Sequence, residues 1–200
     1  LGSGALITMV NINAKREALA NAEHYSRLIL DRNLVTHSFF NSVLKTSLFD
    51  LLNEHFFEPT WMSSTFAIKS VASDYEFFGE DGLYYKEASI NARNPANEAD
   101  PFERTFIERL NRDPQLTVQT EIRPFDNQPF FVIMRRGQVV KNECLRCHGA
   151  PEDAPPGVVA HYGKTRGFGR NPGETVSAVA IHVPLAMAYQ NADAFSIKLS

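Results

Sequence analysis

Thr175-Val176-Ser177-Ala178-Val179-Ala180-Ile181-His182-Val183, at the centre of 174–184, alternates with a period of two. Successive side chains of a strand point to opposite faces of its sheet, so this period predicts a strand. Working outward, 116–124 alternates in the same way, and 129–135 is an apolar run that ends in Arg135-Arg136-Gly137. A fourth strand is expected at Leu83-Tyr84-Tyr85-Lys86-Glu87-Ala88-Ser89-Ile90, after the turn residues Gly79-Glu80-Asp81-Gly82. Between the strands, Asn94-Pro95-Ala96-Asn97 reads as a turn. Residues 102–111 place Phe102, Phe106, Ile107 and Leu110 on one helical face, stopped by Asp113-Pro114. Strands behind helices predict an α+β domain, a curved antiparallel sheet with helices on one face.

The front of the chain is different. Residues 11–57 contain no proline and no glycine. Ala18, Ala22, Tyr25, Ile29, Val35, Phe39 and Val43 form one apolar line, with Arg32 as a polar break, and Leu28, Phe40, Leu44, Leu48, Leu51 and Leu52 form a second. A helix of this length reaches roughly 60 to 70 Å at 1.5 Å per residue, so it must leave the domain, bend or pair with another chain. Bends are expected at Asp31-Arg32-Asn33 and Lys45-Thr46-Ser47; a helix hairpin on its own domain is the alternative. Residues 1–10 read as a cloning scar, Leu1-Gly2-Ser3-Gly4, followed by an apolar stub of a membrane segment. Residues 58–72, beginning at Pro59, read as a loop leading into a short helix capped by serine or threonine, and 186–200 as an exit helix.

The 200 residues are 44% hydrophobic, enough for one domain with a core, and carry a net charge of -3. Positive charges gather in short groups such as Arg135-Arg136 and Lys164-Thr165-Arg166, which make no nucleic-acid stripe. A membrane span needs about 20 consecutive apolar residues, and the sequence has no such run.

Cys144-Leu145-Arg146-Cys147-His148 names a chemistry, and it holds both cysteines of the chain. In C-x-x-C-H two thiols add across the vinyl groups of a porphyrin and the histidine ligates iron, so one covalent haem c is expected. A redox cysteine pair has no requirement for the following histidine. Zinc would need two more ligands, and His161 and His182 form no second paired cluster. The following 149–157 are rich in turn formers, so the motif sits on a short turn beside a loop. Haem attachment of this type takes place outside the cytoplasmic membrane. No signal peptide is recognisable, so the chain is expected to be part of a longer exported or membrane-anchored protein.

The sixth iron position decides between electron transfer, redox sensing and gas binding. Of four methionines, Met9 lies in the stub, Met187 near the exit helix and Met134 in an apolar strand where it suits a core. Met62, beside Trp61 and ahead of Ser63-Ser64-Thr65, is the methionine placed to face a cofactor; His55 or His161 are the histidine alternatives.

Ala92-Arg93-Asn94-Pro95-Ala96-Asn97, the helix at Phe102-Glu103, Cys144 to Gly149, Gly167-Phe168-Gly169, Pro172-Gly173-Glu174 and Val183-Pro184-Leu185 occur in order. Together they resemble the PAS-like c-type-haem sensor domains of bacterial membrane receptors, which include chemotaxis receptors, sensor histidine kinases and cyclic-dinucleotide enzymes. The resemblance covers 58–185. It implies a PAS-like five-stranded antiparallel sheet with flanking helices, a long N-terminal helix, and dimers that can exchange that helix. Trp61-Met62-Ser63-Ser64-Thr65 is similar to the family's methionine-serine motif, which makes Met62 the distal ligand; other branches use another residue or water. Tyr84, Tyr85, Arg93 and Lys164 are candidate partners of the haem propionates. The resemblance further implies a periplasmic signal-input domain of an inner-membrane receptor, responding to redox state or a diatomic gas, with no enzymatic activity of its own. The alternative is a monohaem electron carrier, although over half the chain is unrelated to wrapping a haem.

Overall fold

The computed structural model describes residues 2–53, 55–73, 83–125 and 127–199. Four strands, β1 (Tyr84–Ser89), β2 (Val118–Phe125), β3 (Gln128–Arg136) and β4 (Ser177–Pro184), form one antiparallel sheet in the order β1-β4-β3-β2. They are the four that the period predicts. A fifth strand, implied by the family resemblance, is not found among the described residues, and the turn expected at 79–82 lies outside them. β4 is central, pairing Tyr84 with His182 on one side and Val132 with His182 on the other. Both its faces are covered, which is why Ala178 to Ile181 is buried without interruption.

Helices flank both faces of the sheet, not one. On the first face lies α5 (Pro101–Arg112), started by a capping box in which Asp100 and Glu103 satisfy each other's backbone amides. Phe106, Ile107 and Leu110 pack there against Ala88, Val132, Met134, Ala178 and Ala180. The alanines let the helix approach closely, and Met134 is a core residue as expected. On the second face, Ala22 and Leu30 of α1 (Gly2–Phe39) pack against Phe131, Ile133, Val179 and Ile181.

The N-terminal helix differs from its expected bounds. α1 begins at Gly2, within the expected scar and ahead of the apolar stub, stays regular through Asp31-Arg32-Asn33, and passes through a π-turn (Phe40–Leu44) into α2 (Lys45–Phe49). A π-turn shifts the helical register, so the break falls just ahead of Lys45-Thr46-Ser47, one of the two places expected. Residues 51–53 and 55–57 are not helical. The inward face also differs from the apolar line. Ala22, Ser26, Leu30, Asn33 and His37 are buried, while Tyr25, Leu28, Val35, Phe39 and Val43 are exposed. α8 (Ala186–Leu199) lies along the start of α1, where Asp193 accepts from Lys15 Nζ at 2.6 Å and Asn11 Nδ2 at 2.8 Å. No helix among the described residues is long and apolar enough to cross a membrane.

Two short helices follow α2. α3 (Pro59–Met62) is capped by the Glu58 side chain, and α4 (Ser64–Ser73) by Ser63 Oγ, which accepts from Phe66 N at 3.2 Å. A serine cap is what the sequence predicts here.

Candidate functional site

Cys144 closes a 3-10 turn and leads into α6 (Leu145–His148), a single helical turn. Residues three apart on a helix share a face, so Cys144 and Cys147 are neighbours on one side of this turn. Both thiols are free and half-buried. His148 follows directly, and its Nδ1 donates to the Gly167 carbonyl at 2.7 Å. That bond fixes the tautomer and leaves the Nε2 lone pair available to a metal. Burial, then the charge of Arg93, push the His148 pKa down to about 4, so the ring is neutral at physiological pH.

Two segments brace the turn, one around Ala92 and one around Gly167. Gly169 N donates to Gly149 O at 2.9 Å and Arg170 N to His148 O at 3.0 Å. Arg93 Nη2 donates to the Cys147 carbonyl and, at 3.1 Å, to the Gly167 carbonyl. Gly167 has φ of +73°, and a Cβ there would meet Arg93 Cβ at 2.9 Å, so only glycine fits. Arg166 Nε donates to Ala92 O at 2.7 Å and its guanidinium pairs with Glu98, which also accepts from the amides of Asn91 and Ala92. Arg170 reaches Ile90 O at 2.6 Å. The strings around Ala92 and Gly167 are thus the struts that hold the cysteine-histidine turn against the end of β1.

The surroundings are cationic. Arg93, Arg146 and Lys45 all act on Cys147, whose pKa burial nevertheless raises. Lys45 of α2 is itself held below its ordinary value by burial, partly offset by the two thiols, and donates to Asn41 Oδ1 at 2.7 Å. Arg146 lies over the Phe49 ring at 4.5 Å and so seats α2 on α6.

Met62 is buried, with its sulfur accepting from Glu58 N at 3.1 Å. Its segment reaches the turn through α7 (Pro156–Tyr162). Phe57 packs on Tyr162 at 5.9 Å and on His161 at 6.5 Å, and Tyr162 lies under Arg93 at 5.6 Å. The structure therefore draws Met62's segment, α7, Arg93, Cys144, Cys147 and His148 into one neighbourhood. It does not bring Tyr84 there; that ring packs against His182 at 5.5 Å on the α5 face. Lys164 is exposed in the bend after α7, and His55 and His161 are exposed. Tyr85 faces α1 and donates to Glu87 at 2.8 Å. Sequence reasoning missed Lys45, Arg170 and the Gly167 carbonyl; the paired glycines around Phe168 were the one visible signal.

No curated protein matches the sequence. Among solved structures, the crystal structure of the cyanobacterial haem protein Tll0287 is similar, with a TM-score of 0.50 and 21% identity over 78% of this chain and 94% of that one. At that identity the likeness speaks for the fold alone. The family model described as Tll0287-like matches residues 15–184, from within α1 to the end of β4. The chain belongs to the Tll0287-like family.

Proposed function

We propose that this chain carries one covalent haem, attached through Cys144 and Cys147, with His148 as proximal and Met62 as distal iron ligand, and that it is the periplasmic signal-input domain of a membrane-anchored receptor. The observation that carries this reading is the His148–Gly167 bond beside two free thiols on one helical turn. It leaves a neutral imidazole nitrogen where C-x-x-C-H chemistry needs one. Arg93, Lys45 and Arg170 around the turn suit a group that bears carboxylates. The haem nature of Tll0287 supports the same cofactor here.

When bound, haem supplies an iron centre that exchanges an electron or accepts a small diatomic ligand. The protein's own residues set the response. Arg93 and the Gly167 loop hold the proximal turn still. Met62 accepts the Glu58 N–H on its sulfur and would have a second lone pair to offer iron. A change of redox state or ligand moves the protein only through a difference in affinity for Met62, because an effector shifts an equilibrium by differential binding alone.

The receiving element is α1. Tyr25, Leu28, Arg32, Val35 and Phe39 recur at alternating steps of three and four residues, and the apolar four are exposed, Val35 by 70%. This is the stripe of a helix that pairs with another copy, and it supports a homodimer. The reading assigns no catalytic residue, and negligible peroxide turnover is expected.

The test is retention of haem on the denatured polypeptide after acid-acetone extraction of protein matured with haem. Attachment is expected in the unmodified chain and its loss in Cys144→Ser with Cys147→Ser. Haem that extracts freely from the unmodified chain overturns the reading.

A further inference from the structure

One residue beyond Met62's helix, the chain enters a buried polar cluster that haem attachment does not use. His37 of α1 places Nδ1 at 2.8 Å from Ser64 Oγ and Nε2 at 3.0 Å from Glu87 Oε1, with the two side chains only 4% and 12% exposed. Tyr85 OH donates to the same Glu87 oxygen at 2.8 Å, and Thr65 Oγ1 donates to the other. Asn33, also buried, neighbours the Tyr85 hydroxyl. Three elements converge here. Asn33 and His37 are one turn apart on the inward face of α1, Tyr85 and Glu87 point to the same face from β1, and Ser64 and Thr65 open α4. Only Ser63 separates that opening from Met62.

A buried carboxylate is tolerated when its acceptor sites are filled and a cation or donor answers it. Burial alone would raise the Glu87 pKa, but His37, Thr65 and Tyr85 together bring it below its ordinary value, so Glu87 stays ionised. Each donor then makes a charge-assisted bond. Moving the first turn of α4 means stripping Thr65 from that carboxylate and Ser64 from His37. The same atoms hold α1 one turn before its π-turn.

We propose that His37 and Glu87 are positioning residues for Met62, locking the opening of α4 to α1, so that one polar cluster sets both the reach of the sixth ligand and the position of α1. This rests on the reading that Met62 ligates iron. Weakening the lock lowers the fraction of protein with Met62 in place, and a competing ligand binds more tightly in proportion.

The experiment measures carbon monoxide affinity of the ferrous, haem-loaded protein, together with the near-infrared sulfur-to-iron band of the oxidised form. The variants are Thr65→Val, Ser64→Ala, Glu87→Gln and Met62→Ala, with Thr105→Ala on the exposed side of α5 as control. Thr65→Val keeps the side-chain shape, so it tests the bond without emptying the core. Loss of one bond to a charged group predicts an affinity about tenfold higher and a weakened band in Thr65→Val, with the control unchanged. If Met62→Ala shifts both readouts while Thr65→Val, Ser64→Ala and Glu87→Gln stay within about twofold of the parent, well short of that loss, the positioning role is overturned and the haem reading stands. If Met62→Ala shifts neither, the ligand assignment fails and takes the positioning role with it. In haem-free protein, faster amide exchange of 64–68 in Thr65→Val is expected, and unchanged exchange contradicts the lock.

Discussion

Arg93 shows how one side chain can hold a site together through backbone carbonyls. It bonds two carbonyls, at Cys147 and Gly167, and its guanidinium lies over Phe168 at 4.6 Å. Arg93→Met keeps the stem and loses both charge-assisted bonds, so chemical denaturation should show a loss of about 3 kcal/mol. Arg93→Lys should not restore it, because an ammonium cannot reproduce the planar fork; full stability in either variant contradicts the strut. His182 carries a prediction of a different kind. Its ring is buried between Phe125 and Tyr84, its Nε2 has no partner among the described residues, and burial pushes its pKa down to about 4. The folded state therefore resists a proton that the unfolded chain accepts near pH 6.5, so stability is lost as pH falls from about 6.5 to about 4 and is unaffected above. His182→Phe should remove up to about 3 kcal/mol of that acid loss relative to the parent, and identical acid limbs would contradict it. The cysteine-histidine turn was legible in the sequence because it is local, five consecutive residues at 144–148. Arg93's true partners were not, since they lie 54 and 74 residues away and bond through backbone carbonyls that any residue provides.

Among the elements, the four strands and α5 were readable from period and caps, because each buries a face that its own side chains mark. The helix α1 was readable in kind but not in orientation. Tyr25, Val35, Phe39 and Val43 of its apolar line face out while Ala22 of the same line faces the sheet, alongside Ser26, Asn33 and His37. Apolar patterning identifies a face to be covered without saying by what, and here His37 is covered by bonds to β1 and α4, while the buried Ser26 Oγ has no partner among the described residues. The exposed line then needs another partner. Leu28→Glu with Val35→Glu should turn a sedimenting dimer into a monomer with an unchanged haem spectrum. Dimers that persist in this variant would contradict pairing through α1.

Across the whole molecule the sheet separates two cores, one under α5 and one under α1, and the candidate haem site lies beyond the end of β1. β1 joins the two regions. Its far end meets the struts of the cysteine-histidine turn, and its middle, at Tyr85 and Glu87, meets α1. α1 spans about 57 Å at 1.5 Å per residue, so a small shift at His37 has a long lever. The helices on both faces escaped the sequence because period reports that a face is buried, not which element lies on it. The central claim, that the state of the iron is passed through Met62 to α1, is tested most directly by amide hydrogen exchange over 33–44 in haem-loaded protein, oxidised against reduced. The account predicts a difference between the two states in the parent protein and none in Met62→Ala. Equal exchange in both states of the parent would contradict it.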